Sequence, residues 1–375
     1  MPPDIRISQV LLPSDGRFGS GPSKVRHEAV AALAQAAPGY LGTSHRKEGV
    51  RSVVRRVRQG LTALFALPDG YEVVLGNGGT TAFWDVVTCC LVKRRSQHLS
   101  FGEFSSKFAA ATSAAPHLEQ PEVIESPPGT HPSAVPSEDV DLYALTHNET
   151  STGVSMLVAR PEGAAPGSLV AVDATSAAGG LRVDVTQADA YYFAPQKCFG
   201  GDGGLWLALL SPAAIERAER LGGASDRWVP TSLDLRIAIT NSQLDQTYNT
   251  PALATLFLLA DQLDWMLGGG GLEWAASRCD RSAEYLYGWA ESSAYASPFV
   301  AKPDERSPVV GTIDLDSAVD AQRVCQVLRS NGILDTEPYR KLGRNQLRIA
   351  MFPAVEPDDV AALTACVDHV VEKLQ

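Results

Sequence analysis

Four short apolar runs, separated by polar turns and helical stretches, constrain the fold of this chain more than any other feature. They cover residues 142–146, 169–172, 190–193 and 205–210. Unbroken apolar runs of this length are typical of strands that are buried on both faces of a sheet. Their alternation with helices predicts an α/β protein with a mostly parallel sheet, whose ligands bind at the carboxyl ends of the strands.

The remaining periodicity divides the chain into parts. Apolar spacing predicts helices over 23–36, 52–65, 80–90 and 251–265, and a strand over 71–75. The glycine run 268–271 breaks the last of these helices, and an alternation of helices and strands follows it. We therefore predict an N-terminal arm (1–24), a large domain (25–267) and a smaller α+β domain (268–375).

Composition excludes several classes of function. The formal net charge of −11 argues against a general affinity for nucleic acid or anionic lipid, so anionic ligands need a local basic pocket. The six cysteines form no metal-binding spacing, and we predict no metal. No apolar run approaches the length of a membrane span. Asp4 and Arg6 argue against a signal peptide, so we predict a cytoplasmic protein.

A lysine stands where the apolar run 190–193 gives way to a glycine-rich turn. Lys197 is expected to lie in a tight, desolvated place, where its pKa falls. Such a lysine can form a Schiff base with an aldehyde cofactor and then move a proton at the substrate. A surface lysine at a strand end is the alternative, and taken alone it is the commoner case.

An acidic residue follows the apolar run 169–172. A buried carboxylate at Asp173 is costly without a cationic partner, and a protonated pyridine nitrogen would serve. A helix cap or a metal ligand is the alternative. The spacing between Asp173 and Lys197 favours the cofactor.

Three further segments offer groups to the same edge of the sheet. Residues 78–81 combine glycines with Thr80 and Thr81 at the start of a helix, which suits a phosphate or an ordinary helix cap. Residues 148–150 offer hydrogen bonds. Phe104, in a polar loop over 102–106, could stack on a pyridine ring or anchor local packing.

Taken together, these motifs resemble the phosphoserine aminotransferases, which are class V enzymes of fold-type I, and their actinobacterial branch in particular. The likeness extends from Phe18 to the C-terminus. It is carried by residues 18–22, 44–46, 148–150, 196–197, 248–251 and 346–348. The resemblance implies a large, mostly parallel seven-stranded sheet domain, a smaller α+β domain, and pyridoxal 5′-phosphate as the cofactor.

The resemblance also assigns cofactor contacts. Lys197 would hold the cofactor, Asp173 its pyridine nitrogen and Thr150 its phenolic oxygen, while Phe104 would stack on the ring. The phosphate would be surrounded by Thr80, Thr81 and Gln196, and by Asn249 and Thr250 of the other subunit. A homodimer with shared active sites follows from this assignment.

The substrate contacts come from the same resemblance. Arg348 would bind the α-carboxylate, a task that suits a planar guanidinium. His45 and Arg46 would reach a distal phosphate or carboxylate from the partner subunit, and Ser20 and the arm around it would contribute a hydrogen bond. Surface roles for these residues are the alternatives.

One position departs from the family. Many relatives carry an arginine where this chain has Thr81, and that arginine contributes to binding the distal anion. Lys341 and Arg344 are the substitutes that the sequence offers.

The implied reaction moves an amino group from L-glutamate to 3-phosphohydroxypyruvate, giving O-phospho-L-serine and 2-oxoglutarate. The resemblance places it in L-serine biosynthesis and raises a second role, with 4-phosphohydroxy-L-threonine, in pyridoxine biosynthesis. Alanine:glyoxylate aminotransferase and cysteine desulfurase are the competing class V activities. A non-catalytic protein that retains the fold is the alternative from another class.

Overall fold

The apolar runs of the sequence form the middle of a seven-stranded sheet in the computed structural model of the protein, which describes residues 5–225 and 227–374. The strands are β1 (Glu72–Asn77), β2 (Ser96–Ser100), β3 (Glu122–Glu125), β4 (Leu142–Thr146), β5 (Asn148–Glu149), β6 (Val154–Ser155), β7 (Leu169–Asp173), β8 (Ala190–Phe193), β9 (Leu205–Leu210), β10 (Ala296–Pro298), β11 (Val310–Leu315) and β12 (Gln346–Ala350).

Helices cover both faces of this sheet and one face of a smaller one. They are α1 (His27–Tyr40), α2 (Glu48–Leu64), α3 (Thr80–Cys90), α4 (Glu103–Ser113), α5 (Pro212–Gly222), α6 (Leu235–Gln243), α7 (Leu253–Gly269), α8 (Gly271–Ser292), α9 (Ala321–Ser330) and α10 (Pro357–Leu374). Within the described ranges, no helix is both long enough and apolar enough to cross a bilayer.

The large sheet has the strand order β1-β9-β8-β7-β4-β2-β3. Strand β9 runs antiparallel to β8 and β1, and the other neighbours pair in parallel. The prediction of an α/β protein with a mostly parallel sheet is therefore confirmed. Because β1, β2, β4, β7 and β8 point the same way, their carboxyl ends meet at one edge.

Several predicted boundaries are wrong. The first helix lies four residues later than predicted, at α1, and the second begins four residues earlier, at α2. Helix α7 continues through Gly268 and Gly269, and the chain turns only at Gly270, whose φ is 126°. Strand β3 (Glu122–Glu125) was not predicted at all.

Two hydrophobic cores flank the large sheet. One packs α2 and α7 against it, and the spacing of the buried α2 residues Val50, Val53, Val57 and Leu61 shows why that helix presents one apolar face. The other packs α3 and α5 against the opposite face. A third core lies between the antiparallel sheet β10-β11-β12 and helices α8, α9 and α10.

The N-terminal segment joins this third core. Ile7 and Phe18 are buried in it, and the backbone of Phe18 pairs with Leu334 and Ala350. Over its described residues, the predicted arm thus packs with C-terminal elements. The three-part division stays a prediction. Residues 1–4, including Asp4, together with Asp226 and Gln375, lie outside the described residues.

The close approach of β1 and β9 predicts that a side chain at Gly76 would lower the stability of the protein. Gly76 pairs with Trp206, and an added Cβ at Gly76 would lie 2.0 Å from Trp206 Cζ2. Gly76→Ala should therefore lower the free energy of unfolding by about 1–3 kcal/mol, as overpacking does. Thermal and urea denaturation will measure it.

The matched control is Gly288→Ala. Gly288 is exposed within α8 and has no atom within 4 Å of an added Cβ. This change should raise the free energy of unfolding by about 0.5–1 kcal/mol, because alanine loses less backbone entropy in a helix. Equal effects of the two substitutions would contradict the packing described for β1 and β9.

Candidate active site

A cavity of about 380 Å³ opens where the carboxyl ends of the parallel strands meet. Loops and helix starts that follow β1, β2, β4, β7 and β8 supply most of its wall, and the N-terminal segment supplies the rest. The lining residues are Gly21, Pro22, Thr80, Thr81, Trp84, Phe104, Thr146, Asn148, Thr150, Asp173, Thr175, Gln196, Lys197, Asp202 and Gly203. Seven residues predicted to contact a cofactor are among them.

Lys197 lies four residues beyond the end of β8, in the turn that leads to β9. Its Nζ donates a hydrogen bond of 2.5 Å to the backbone oxygen of Ser20. Burial, assisted by the positive charge of Arg348, lowers the pKa of Lys197 to about 8. A substantial fraction of neutral amine is therefore present near neutral pH, which is what a nucleophilic lysine requires.

Gly21 makes room for this lysine. Its φ is 140°, and a Cβ added there would lie 2.1 Å from Lys197 Nζ. A residue with a side chain would be strained at this φ and would displace the amine. The conformation of the N-terminal segment thus sets the position of Lys197.

Asp173 ends β7, and only 4% of its surface is exposed. Its carboxylate accepts hydrogen bonds from Trp84 Nε1 at 2.8 Å and from the backbone N of Thr175 at 3.0 Å. Burial raises the pKa of Asp173, and these hydrogen bonds oppose the rise. Since it forms no ion pair within residues 5–225 and 227–374, a cationic ring nitrogen in the cavity would supply the charge that its burial calls for.

The start of α3 gives the cavity wall a part that suits an anion. Helix α3 starts at Thr80, directly after Gly78 and Gly79, so its first backbone N–H groups have no acceptor within the helix. Thr80 and Thr81 add two hydroxyl groups. The amide side chain of Gln196, whose nitrogen is a donor, also lines the cavity. A phosphate would be held here by donors and by the helix dipole.

Two polar lining residues, Asn148 and Thr150, are linked by Ser176. Thr150 Oγ1 and Asn148 Nδ2 each donate a 2.8 Å hydrogen bond to Ser176 Oγ. The oxygen of the Asn148 side chain is buried and has no partner within the described part of the chain. Thr150 is thereby held in the wall of the cavity, where its hydroxyl can meet a ring substituent.

Phe104 is the second residue of α4, and the predicted polar loop around it is wrong. The buried Glu149 carboxylate accepts backbone hydrogen bonds from Phe104 and Ser105, at 3.1 and 2.9 Å. An acceptor at a helix start satisfies its free N–H groups. Glu149 therefore fixes the start of α4, which places the Phe104 ring at the cavity wall.

Arg348, on β12 of the smaller sheet, is not among the lining residues but contacts one of them, Thr150. Its guanidinium donates to the backbone oxygen of Thr150 at 3.4 Å and lies 5.3 Å from the centre of the Tyr339 ring. Its Nε is buried without an acceptor among the described residues, and burial lowers the pKa of Arg348. The Ser20 hydroxyl is also buried without a partner in the described ranges. A carboxylate would satisfy both groups.

Four further predicted residues form no hydrogen bond or salt bridge with the described residues named so far in this site. Thr250 Oγ1 is 3.1 Å from His45 Nδ1, and Arg46 donates to Gln246 at 2.7 Å. Arg46 and Asn249 line a separate cavity of about 530 Å³. We call His45, Arg46, Asn249 and Thr250 the second cluster. A single chain does not bring the second cluster to Lys197.

The two substitutes for the missing arginine are already paired. Arg344 forms a salt bridge with Asp314 at 2.5 Å, and Lys341 forms one with Glu103 at 2.5 Å. Neither offers an unpaired charge to the cavity in this conformation.

Sequence reasoning missed Trp84 and Thr175, which hold Asp173. Trp84 lies four residues after Thr80 on α3, so both face the sheet edge. That spacing was the available signal, but a tryptophan in an apolar helix indicates core packing more directly.

The fold and the site together define a pyridoxal-phosphate enzyme. A lysine with a lowered pKa, a buried carboxylate and a helix N-terminus surround one cavity, and each matches one functional group of that cofactor.

The chain belongs to the aminotransferase class-V family, whose family model matches residues 18–336. The family predicted from the motifs is thus confirmed. A phosphoserine aminotransferase of Nocardioides sp. (strain ATCC BAA-499 / JS614) is 60% identical over 371 residues, covering 99% of each chain.

Solved structures show the same fold. A phosphoserine aminotransferase from Cytophaga hutchinsonii matches with a TM-score of 0.82 and 24% identity, over 96% of this chain and 100% of the other. One from Bacillus circulans subsp. alkalophilus matches with a TM-score of 0.82 and 21% identity, over 96% and 99%.

The lowered pKa of Lys197 predicts how uptake of the cofactor depends on pH. Only the neutral amine attacks an aldehyde, so the rate at which the cofactor-free protein binds pyridoxal phosphate should rise with pH and level off above about pH 8. Stopped-flow absorbance will measure it, with Lys197→Arg as the control that forms no covalent link. A rate that still rises up to pH 10 would show that the amine keeps its ordinary pKa.

Proposed function

We propose that the protein catalyses the reversible transfer of the amino group of L-glutamate to 3-phosphohydroxypyruvate, giving O-phospho-L-serine and 2-oxoglutarate. The observation that carries this proposal is the cavity that unites Lys197 and Asp173, in a chain 60% identical to a phosphoserine aminotransferase. The reaction belongs to L-serine biosynthesis. Formation of 4-phosphohydroxy-L-threonine, in pyridoxine biosynthesis, is a second reaction of the same chemical type.

The cavity residues fit the cofactor group by group. Bound pyridoxal phosphate supplies an aldehyde that carries the amino group and a ring that withdraws electrons from the substrate α-carbon. Asp173 would meet the ring nitrogen, Thr150 the phenolic oxygen and Phe104 the ring face. Thr80, Thr81 and Gln196 would surround the phosphate.

Lys197 would carry the proton in each half of the reaction. The Ser20 backbone oxygen accepts a hydrogen bond from its amine and so holds Nζ at the cavity. A lysine with a pKa of about 8 both accepts and donates protons near neutral pH. Lys197 Nζ would therefore take the proton from the substrate α-carbon and deliver it to the carbon that enters as the cofactor's aldehyde, and the second half of the reaction would run this transfer in reverse.

Arg348 would bind the α-carboxylate that all four substrates and products share. Its Nε is buried without an acceptor among the described residues, and a carboxylate accepts two parallel hydrogen bonds from a guanidinium. Ser20, whose buried hydroxyl also lacks a partner in the described ranges, would add a hydrogen bond on the same side.

The distal anion would be met by the second cluster of a partner subunit. Arg46, Asn249 and Thr250 are exposed and lie outside the Lys197 cavity of their own chain. A twofold axis would place His45 and Arg46 over the distal end of the substrate, and Asn249 and Thr250 beside the phosphate of the cofactor. The active form would be a homodimer with shared sites.

The cysteines distinguish this function from a desulfurase. Five of them are buried, and Cys89 is partly buried. Burial raises the pKa of each thiol. A desulfurase needs a reactive thiolate on a mobile loop, and a raised pKa opposes that reactivity. Free thiols are also usual in the cytoplasm, where we place the protein.

The visible absorption of the lysine-bound cofactor tests the substrate. Adding O-phospho-L-serine should bleach the band, because the amino group moves to the cofactor, whereas L-alanine at the same concentration should leave it. Bleaching by alanine alone would refute the substrate and keep the cofactor. Failure to bind cofactor would refute both.

Mixing two inactive variants tests the shared site. Lys197→Ala removes the amine of a chain's own site, and Arg46→Ala removes the guanidinium that this chain would offer to its partner. Refolded together in equal amounts, they should recover about a quarter of the wild-type activity, since half of the dimers carry one intact site.

Each variant refolded alone is the control and should show almost no turnover of phosphoserine. No recovery in the mixture would show that Arg46 serves its own chain.

A further inference from the structure

Trp84 is the one cavity-lining aromatic residue, among those described, that donates a hydrogen bond to the acidic group of the site. Its Nε1 lies 2.8 Å from Asp173 Oδ2, and both side chains are buried, with 4% exposure each. Thr175 occupies the other oxygen, Oδ1, with its backbone N and its hydroxyl. The two carboxylate oxygens therefore have separate donors.

Each carboxylate oxygen can accept more than one hydrogen bond, so these donors leave Asp173 able to accept another from the ring nitrogen. With Thr175 on Oδ1 and an indole on Oδ2, the carboxylate is fixed against rotation about its Cβ–Cγ bond. Donors also favour the ionised form, which burial opposes. A ring nitrogen keeps its proton only when the carboxylate beside it remains charged.

The indole itself has little freedom. Trp84 belongs to the core between α3 and the sheet, and its ring stacks on Phe108 with centroids 6.1 Å apart and an angle of 16°. An indole that is already immobile loses little conformational entropy when it donates to Asp173, so it fixes the carboxylate more effectively than a mobile side chain would.

Helix α3 also carries two of the groups that the cofactor would meet. Its first residue, Thr80, would lie at the phosphate, and Trp84 lies one turn further on. The separation along the axis is about 6 Å. One rigid element thus sets both the site for a phosphate and the orientation of the carboxylate.

We propose that Trp84 is a positioning residue that holds Asp173 in the orientation and charge state required by the ring nitrogen of the cofactor. This inference rests on the proposed cofactor contact of Asp173, and it does not depend on which amino acid is the substrate.

Other titratable groups around Asp173 do not replace this role. Tyr191 and Tyr192, on β8, have pKa values raised well above the ordinary value by burial, so they remain neutral. Lys197 contributes a positive charge that favours the carboxylate, but its Nζ donates its hydrogen bond to the backbone oxygen of Ser20 and not to Asp173. The Trp84 indole, in contrast, donates directly to the carboxylate.

The test is Trp84→Phe, which keeps an aromatic ring and removes the N–H group. The dissociation constant of the cofactor-free protein for pyridoxal phosphate should rise roughly tenfold or more. An isotopically labelled ring nitrogen, observed by NMR, should lose its proton at lower pH than in the wild type. For phosphoserine, kcat should fall while KM changes little.

Trp206→Phe is the matched control. Trp206 belongs to the same core, is 3% exposed, and lies outside the Lys197 cavity. This variant should match Trp84→Phe in thermal stability but keep the wild-type cofactor affinity and ring-nitrogen titration. If Trp84→Phe behaves like this control in both readouts, Trp84 is only a core residue and the proposal is wrong.

A second measurement leaves Trp84 in place, in case Trp84→Phe does not fold. In the cofactor-free protein, the Trp84 indole proton should be protected from exchange with solvent, and its resonance should move in Asp173→Asn. Exchange within minutes would overturn the proposal. If phosphoserine does not bleach the loaded enzyme while the indole results hold, the substrate proposal fails and this one stands.

Discussion

A carboxylate buried at the end of a parallel strand is the constraint on which this site depends. Asp173 sits in the middle of a seven-stranded sheet, where an unpaired charge is costly. The fold offsets part of that cost with an indole and a hydroxyl. A cation in the cavity would offset the remaining cost of burying the charge. The packing of the core around Asp173 thus favours a cofactor that carries a positive charge.

Much of the fold was predictable because its central strands are buried on both faces. Strands β4, β8 and β9 have the predicted bounds, since continuous apolar runs have few other uses in a protein of this composition. Strand β2 was missed for the opposite reason. Its sequence is mostly polar, and its buried Gln97 and His98 make side-chain hydrogen bonds that no periodicity reveals.

Only part of the site was predictable from the sequence. Lys197 and Asp173 stand out in the sequence because each is a charged residue at or just after a buried strand. The structure places both in one cavity. Trp84 was missed because its role depends on a hydrogen bond to Asp173, 89 residues away in the chain, which no local pattern indicates. The roles of His45, Arg46, Asn249 and Thr250 rest on resemblance alone, and they stay predictions because a single chain does not complete the site.

The N-terminal segment has a consequence for how the chain is made. Phe18 pairs with Ala350, and Gly16 with Leu334, across more than three hundred residues. During synthesis residues 334–350 are made long after residues 16–18, so the N-terminal segment has no native partners in the smaller domain until then. The large sheet can form first, and the segment beside Lys197 is anchored to the smaller domain only in a later step.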